Sequence, residues 1–199
     1  AQGVQRTVAT INMYVNLPHQ YKGTHMSRFV ELLAAFSESK ELDLHSFKDI
    51  MEEMKVRLDA ESAHLEMTFS YFINKVAPVS ASEGLMDYTC KFIGSANGVG
   101  PADMVVQVNV PITTLCPCSK EISECGAHNQ RGEVRVGIRY KSFFWIEDLI
   151  AMIESCASSE VYAVLKREDE KAVTEAAYTN PKFVEDVVRD VAAKLMADD

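Results

Sequence analysis

Five segments in which apolar and polar residues alternate constrain the fold of this 199-residue chain more than any other feature. A period of two puts every second side chain on the same face of an extended strand, so each segment predicts a strand with one buried and one wet face. Three segments lie before residue 95 and two after it: 9–17, 65–71, 86–92, 104–112 and 134–140. The chain therefore requires a sheet that is covered on one side only.

Most of the remaining apolar residues are spaced three and four positions apart, as in amphipathic helices. This spacing predicts helices over about 26–36, 44–58, 146–156, 168–178 and 181–196. The last helix has an expected buried stripe of Val184, Val187, Val188, Val191 and Leu195. Strands and helices form separate blocks rather than a strict alternation, which predicts the α+β class.

The segment 95–101 is the clearest boundary in the chain, with two glycines and a proline in seven residues. Similar strand and helix blocks lie on both sides of it. We therefore predict two tandem modules, 1–98 and 102–199, each an antiparallel sheet with helices on one face. The second module ends on a helix, so we expect its C-terminal strands to be missing from this sequence.

Composition excludes several classes of partner. A formal net charge of −9 argues against nucleic acid and anionic membrane surfaces, because both require concentrated Lys and Arg. The apolar runs are too short to span a bilayer, and the first residues lack the apolar core of a signal peptide. The five cysteines form no regular framework and are expected to be thiols. We expect a cytosolic protein without a membrane partner.

The segment LCPCSKEISECGAHN, at 115–129, holds the most chemistry in the chain. Cys116 and Cys118 are two residues apart, and His128 follows ten residues after Cys118. Thiolate and neutral imidazole are the ligands that suit zinc or a similar first-row ion. A structural zinc site would close with four ligands, whereas only two or three are visible here, which favours a catalytic metal with an open position.

Two further segments are candidates for substrate contacts. The residues 22–28 place a lysine and an arginine at the entry of a helix, which is typical of an anion site, although Thr24 as a plain N-cap explains part of the pattern. The charged run 164–171 is expected to be a solvated helix start. Glu185 lies next to the predicted buried stripe, so we expect it at the edge of the core.

Five blocks, in this order, resemble GTP cyclohydrolase type IB, the prokaryotic enzyme that opens folate biosynthesis. They are KGTHMSRF at 22–29, LCPCSKEIS at 115–123, GAHNQR at 126–131, VLKREDEK at 164–171 and NPKFVEDVVRDV at 180–191. The resemblance implies a tunnelling fold and a homo-oligomer, a homotetramer, with active sites at subunit interfaces. It also implies a hydrolase acting on cyclic amidine C–N bonds, which converts GTP to formate and 7,8-dihydroneopterin triphosphate in the first step of tetrahydrofolate synthesis.

The resemblance also implies roles for particular residues. Cys116, His128 and Glu170 are the expected ligands of a divalent Mn²⁺, Fe²⁺ or Zn²⁺ ion, which would activate the water that attacks guanine C8. Cys118 is the expected active-site thiol near C8, so that Cys116 and Cys118 are both catalytic candidates. Glu185 is the expected guanine ligand, because one carboxylate can accept from N1–H and the exocyclic amino group together. The candidate triphosphate cations are Lys22, Arg28, Lys120, Arg131, Lys166 and Arg167.

Two alternatives accompany this prediction. Family chains usually carry a further Glu and His motif, which would follow Asp199, and Glu168 stands where a proline is expected. These departures leave room for a non-catalytic protein of the same fold that binds a metal or a purine nucleotide. They also leave room for the archaeal type of GTP cyclohydrolase, which gives a cyclic phosphate product.

Overall fold

The strands of this protein form one antiparallel sheet in the order β1-β2-β3-β4-β5, with a short β6 paired to β4. The computed structural model describes residues 4–17, 19–20, 23–39, 43–98, 100, 102–139 and 143–197. The strands are β1 Ala9–Val15, β2 Ser62–Val76, β3 Glu83–Asn97, β4 Asp103–Leu115, β5 Asn129–Ile138 and β6 Ser159–Glu160. The helices are α1 Ser27–Ser39, α2 Leu44–Leu58, α3 Pro117–Ile122, α4 Ile146–Glu154, α5 Arg167–Thr179 and α6 Val184–Ala197.

The alternating residues of the central strands build a single buried face. Met67, Phe92 and Val106 lie side by side across β2, β3 and β4, and each of them is buried. The opposite face of these strands carries charged residues, and the ammonium of Lys91 forms an ion pair with the carboxylate of Glu66 at 3.0 Å. The strand period predicted from the sequence therefore separates the core from a solvated face, as a sheet covered on one side requires.

Helices α2 and α4 pack on the buried face through Phe47 and Met51 of α2 and Ile150 of α4, which belong to the same core as the strands. Gly94 of β3 allows the close approach of α2. A Cβ atom at this position would lie 2.5 Å from the sulfur of Met51, which is well inside van der Waals contact.

The α+β class predicted from the sequence is confirmed. Each predicted strand and helix is present over the described residues, although β2 and β3 extend further than the alternation indicated. The short elements α3 and β6 were not predicted. In α6, Val187 and Val191 are buried and Leu195 packs against the core as expected, but Val184 and Val188 are 59% and 60% exposed, so that two of the five predicted stripe residues were wrong.

The predicted boundary at 95–101 joins β3 to β4, which are paired neighbours, so one sheet continues from the first half of the chain to the second. The division into two modules stays a prediction. Tyr140, at the end of the predicted strand 134–140, lies outside the described residues, as does Lys22. Among the residues described, no helix is long and apolar enough to cross a bilayer.

At the end of α4, four residues form a network that we call the buried network: Lys75, Tyr88, Glu154 and Glu160, of which the Glu160 side chain is partly exposed. The ammonium of Lys75 lies 2.6 Å from Glu154 and 2.9 Å from Glu160, and the hydroxyl of Tyr88 donates to Glu154 at 2.9 Å. Glu154 is 6% exposed. Burial raises the pKa of Glu154, against the opposing effects of Lys75 and Tyr88. Charges this deep need partners, and this network supplies them within one chain.

Candidate active site

The predicted metal ligands Cys116 and His128 lie in the loop between β4 and β5, which we call the thiol loop (115–129). Strand β4 ends at Leu115, and Cys116 is the N-cap of the single-turn helix α3. Its Sγ accepts from the backbone N–H of Ser119 at 3.4 Å. The proline at position 117 suits the first turn of a helix, where its missing N–H costs nothing. The chain therefore turns sharply at Cys116, where strand β4 ends and helix α3 begins.

The thiol loop returns so that His128 comes back beside Cys116. The backbone N–H of Cys116 donates to the carbonyl of His128 at 3.1 Å, and the N–H of His128 donates to Oγ of Ser119 at 2.9 Å. Leu115 and Asn129 then pair as the first residues of the β4–β5 ladder. The structure therefore brings the thiol of Cys116 and the imidazole of His128 to the same end of two paired strands.

The side chains of the thiol loop are open to solvent. Cys118, Cys125 and His128 are exposed, and Cys116 is half-buried. Within the part of the chain that the structure describes, the His128 imidazole makes no hydrogen bond. A thiol and an imidazole on segments whose backbones are hydrogen-bonded to each other are suitable donor types for a first-row divalent ion.

Glu185 reaches the same end of the sheet because the entry of α6 is attached to the end of β4. The backbone N–H of Lys182 donates to the carbonyl of Leu115 at 3.0 Å. The Lys182 side chain donates to the carbonyl of Cys156 at 2.9 Å and pairs with Asp190 at 2.6 Å. Three residues later, Glu185 is exposed in the first turn of α6. Its carboxylate is accessible rather than placed at the edge of the core.

Glu170 lies in the first turn of α5, whose other end meets α3. The ammonium of Lys120 donates to the carbonyl of Tyr178 at 2.5 Å and lies 4.3 Å from the centre of that ring. Glu170 is eight residues earlier in the helix, about 12 Å along its axis at 1.5 Å per residue. The third predicted ligand is therefore at the far end of α5 from the contact with α3.

The start of α5 is fixed by Asp169, which is fully buried. Its carboxylate accepts from the N–H groups of Val79, Ser80 and Lys166 and from the Ser80 hydroxyl, at 2.6 to 2.9 Å. We call these four residues the Asp169 anchor. Burial alone would raise the pKa of Asp169, but the hydrogen bonds from Ser80, Lys166 and Val79 outweigh it and hold that pKa well below the usual range.

Within one chain, the described residues do not form a complete metal-ligand group. The described residues contain no group of three His, Cys, Asp or Glu side chains that could hold an ion. Cys116 and His128 fit the donor chemistry of a first-row metal, whereas Glu170 lies apart from them. Of the three ligands that the resemblance implies, Cys116 and His128 are therefore neighbours. Glu170 does not join them within the described part of one chain.

The candidate triphosphate cations differ in their surroundings. The ammonium of Lys120 donates to the carbonyl of Tyr178, and Arg28 donates to the carbonyl of Arg57 at 2.8 Å. Arg131 is exposed on β5, three residues beyond His128, while Lys166 and Arg167 are exposed at the start of α5. Lys120 lies within the thiol loop but is bound to Tyr178, so position and exposure together favour Arg131, which follows the loop on β5.

Sequence reasoning missed the residues that hold the site in place. Ser119 connects α3 to His128, Lys182 attaches α6 to β4, and Asp169 fixes α5. The proline after Cys116 and the charged run 164–171 were the only local signals. Val79 and Ser80, which donate to Asp169, lie about 90 positions earlier in the chain, so no local pattern indicates its burial.

Comparisons with known proteins agree with these motifs. A family model described as type I GTP cyclohydrolase folE2 matches residues 1–199. The GTP cyclohydrolase FolE2 of Syntrophobacter fumaroxidans is 59% identical over 196 residues, which are 98% of this chain and 76% of the relative. The FolE2 of Desulfosudis oleivorans is 60% identical over 196 residues, 98% of this chain and 75% of its own length. That of Methylobacillus flagellatus is 60% identical over 193 residues, 97% of this chain and 71% of its own. With a family match along its whole length and such identities, this chain belongs to the type I GTP cyclohydrolase folE2 family.

Proposed function

We propose that this protein is a GTP cyclohydrolase that hydrolyses GTP to formate and 7,8-dihydroneopterin triphosphate, the first step of folate biosynthesis. The observation that carries the proposal is the family match over residues 1–199. The accessible thiols and imidazole of the thiol loop support it, because they give the chain the reactive groups that such a hydrolysis needs.

The metal belongs to this proposal as Mn²⁺, Fe²⁺ or Zn²⁺ held by Cys116, His128 and Glu170. An ion with three protein ligands keeps a coordination position open and can supply activation of water at neutral pH. The backbone hydrogen bond between Cys116 and His128 supports the first two assignments, since it keeps their side chains on adjacent segments.

Cys118 is assigned to the substrate rather than to the ion. It lies in the first turn of α3, two residues beyond Cys116, and is exposed. A thiol next to a cation loses its proton more readily than a free thiol and is a strong nucleophile. We assign it to the C8 side of the purine, where the ring opens.

Glu185 is assigned to the guanine edge. Its carboxylate can accept from N1–H and the exocyclic amino group in a bidentate, charge-assisted pair, which adenine cannot form. The bond from Lys182 to Leu115 supports the assignment, because it holds the first turn of α6 beside the thiol loop. Arg131 is assigned to the triphosphate, for which its exposure and its position on β5 are the support.

The test is an assay of formate release from GTP with metal-free protein that has been reloaded with Mn²⁺, Fe²⁺ or Zn²⁺ in turn. We expect no formate without metal, and formate together with 7,8-dihydroneopterin triphosphate with at least one ion. Binding of GTP without formate under every loading would contradict the proposed activity. A cyclic phosphate product would assign the chain to the archaeal type of reaction.

A further inference from the structure

The position of Glu170, the carboxylate of the proposed metal site, is set by its backbone. The side chain is exposed, and within the described part of the chain its carboxylate makes no hydrogen bond or ion pair. The backbone N–H of Glu170 donates to the carbonyl of Lys166 at 2.9 Å, and its carbonyl accepts from the Thr174 hydroxyl at 2.7 Å. The contacts that fix the start of α5 therefore also fix where this carboxylate can meet an ion.

Asp169, the residue before Glu170, does more than cap α5. One of its four hydrogen bonds, from the N–H of Lys166 at 2.8 Å, closes the first turn of the helix. The other three come from outside the helix, from the N–H groups of Val79 and Ser80 and from the Ser80 hydroxyl. Asp169 is 0% exposed, so water does not compete for these bonds. They attach the start of α5 to the turn between β2 and β3.

Asp43 shows what a capping aspartate does without such an attachment. It is exposed at the start of α2 and accepts from the N–H groups of His45 and Ser46, which belong to the same helix. Local bonds of this kind are sufficient for an N-cap. The bonds of Asp169 to the β2–β3 turn are therefore additional to capping.

The β2–β3 turn is a firm base for these bonds. It follows the pair Val76 and Glu83, which is the last of the ladder between two strands of 15 residues each. The N–H of Ala77 donates to the carbonyl of Ser82 at 2.9 Å, and the hydroxyl of Ser80 donates to that of Ser82 at 2.9 Å. A metal ligand must be held to within about 0.5 Å of its productive position, and a hydrogen-bonded turn at the end of a long ladder can provide this.

A second contact joins the same end of the hairpin to the entry of α5. A Cβ atom at Gly84, in the first turn of residues of β3, would lie 3.0 Å from Cγ2 of Val164 and 3.1 Å from Cβ of Ala163. The segment that leads into α5 therefore packs closely on the start of β3. Packing and hydrogen bonds hold the two regions together independently of each other.

We propose that Asp169 and Ser80 are positioning residues of the metal site: through the Asp169 anchor, the β2–β3 turn sets the position of Glu170. The inference rests on Glu170 being a metal ligand, as in the proposed function. It adds that metal affinity depends on a contact with a turn about 90 positions earlier in the chain, through residues that are not themselves ligands. Hydrogen-bonded partners that orient metal ligands typically contribute about tenfold to a hundredfold to metal affinity.

The test measures the dissociation constant of Zn²⁺, by competition with a chelator, for the full chain and its variants. The main variant is Asp169→Asn. Each oxygen of Asp169 accepts from a backbone N–H, so an amide NH₂ in either place faces an N–H donor and opens the anchor. Ser80→Ala is milder, because it keeps the carboxylate and the three bonds from backbone N–H groups, and it carries the test if Asp169→Asn does not fold.

We expect Asp169→Asn to bind Zn²⁺ about tenfold to a hundredfold more weakly than the wild type, and Ser80→Ala to show a smaller loss in the same direction. Ser80→Thr keeps the hydroxyl and should keep wild-type affinity. The matched control is Asp43→Asn, which changes a capping aspartate of α2 and should also leave the affinity for Zn²⁺ unchanged.

The decisive measurement repeats Asp169→Asn and Ser80→Ala in the Glu170→Gln background. A residue that acts through Glu170 has no further effect once that carboxylate is gone, whereas a general structural defect weakens metal binding in both backgrounds. We therefore expect the two substitutions to leave the weak Zn²⁺ affinity of Glu170→Gln unchanged.

The outcomes separate the inference from the proposed function. Equal weakening in both backgrounds would overturn the inference, as would wild-type affinity in Asp169→Asn and Ser80→Ala beside a weak Glu170→Gln; the ligand set would stand in both cases. Wild-type affinity in Glu170→Gln would remove Glu170 from the ligand set, and the inference would fall with it.

Discussion

The buried network and the thiol loop both contain ionisable side chains, but they place them in opposite surroundings. In the buried network, Glu154 is 6% exposed and accepts from both Lys75 and Tyr88. In the thiol loop, Cys118 and His128 are exposed, and the contacts that hold the segment together come from backbone atoms and from other side chains such as Ser119 and Lys120. One region satisfies its polar groups internally, whereas the other leaves them accessible.

The difference follows from the cost of burying a polar group. A buried charge without a partner costs several kcal/mol, so the chain pairs such a group itself. A group at the surface is solvated by water and remains available to bind a ligand. Asp169 and Glu170 show the same contrast in adjacent residues, since the first is fully buried with four hydrogen bonds and the second is exposed. Substitutions in the two regions should therefore affect different properties.

The largest expected effect is the loss of activity in Cys118→Ser. We expect formate release to fall by about 100-fold or more, because a serine hydroxyl has neither the acidity nor the nucleophilicity of the thiol. Metal content and the free energy of unfolding should not change, since the side chain is exposed. The matched control is Cys125→Ser, an exposed thiol of the same loop, which should keep full activity. If Cys118→Ser lost its metal, the roles would have to be exchanged: Cys118 would be the metal ligand and Cys116 the thiol that acts on the substrate.

The next effect is a loss of stability in Lys75→Met. This change leaves the Glu154 carboxylate buried without its cation, so the free energy of unfolding should fall by about 3 to 5 kcal/mol in urea denaturation. The control is Lys171→Met, which breaks an exposed pair with Glu175 of 3.7 Å and should cost less than about 1 kcal/mol. The double variant Lys75→Met with Glu154→Gln should recover part of the loss. If Lys75→Met and Lys171→Met lowered the free energy of unfolding equally, the expected difference between buried and exposed ion pairs would be contradicted.

A smaller effect is expected for Glu185→Gln. The charge-assisted pair with guanine is worth roughly 1.5 to 3 kcal/mol, so GTP affinity should fall about tenfold to a hundredfold with metal content unchanged. The affinity of the variant for GTP should fall more than its affinity for inosine triphosphate, which keeps N1–H but lacks the amino group. Glu124→Gln, an exposed carboxylate in the thiol loop, should leave both affinities unchanged. Equal losses for the two nucleotides would show that Glu185 does not bind the guanine edge.

The smallest effect is a gradual loss of stability in alkali. Burial, followed by the charges of Glu154 and Glu160, raises the pKa of Tyr88 and Tyr162 above 10.0, to about 12 for Tyr162. A group whose pKa is raised by folding stabilises the protein fully below its ordinary pKa, and this contribution is lost as pH rises from 10 towards 12. The part of the tyrosinate absorbance that comes from these buried tyrosines should therefore appear together with the change in circular dichroism. Full tyrosinate absorbance with native circular dichroism would contradict this.

The strands, the main helices and the residue types of the site could all be predicted from local patterns. The alternation that predicted β2, β3 and β4 depends only on neighbouring residues, because the period of a strand places polar and apolar side chains on opposite faces. The short elements α3 and β6, of six and two residues, are too short to show a period. The sequence also predicted a stripe on α6 that includes Val184 and Val188, and it could not show that the core leaves them uncovered.

By itself, therefore, the sequence determined the α+β class, the reactive loop with Cys116, Cys118 and His128, and the family. Only the tertiary structure decided which charged residues are buried and which ligands meet. The run VLKREDEK was expected to be a solvated helix start, yet Asp169 is fully buried and accepts hydrogen bonds from Val79 and Ser80, about 90 positions earlier, while Glu170 beside it stays exposed. Local periodicity fixes the face of an element on which a side chain lies. Its partners are set by contacts between segments that are far apart in the chain, and no local pattern records them.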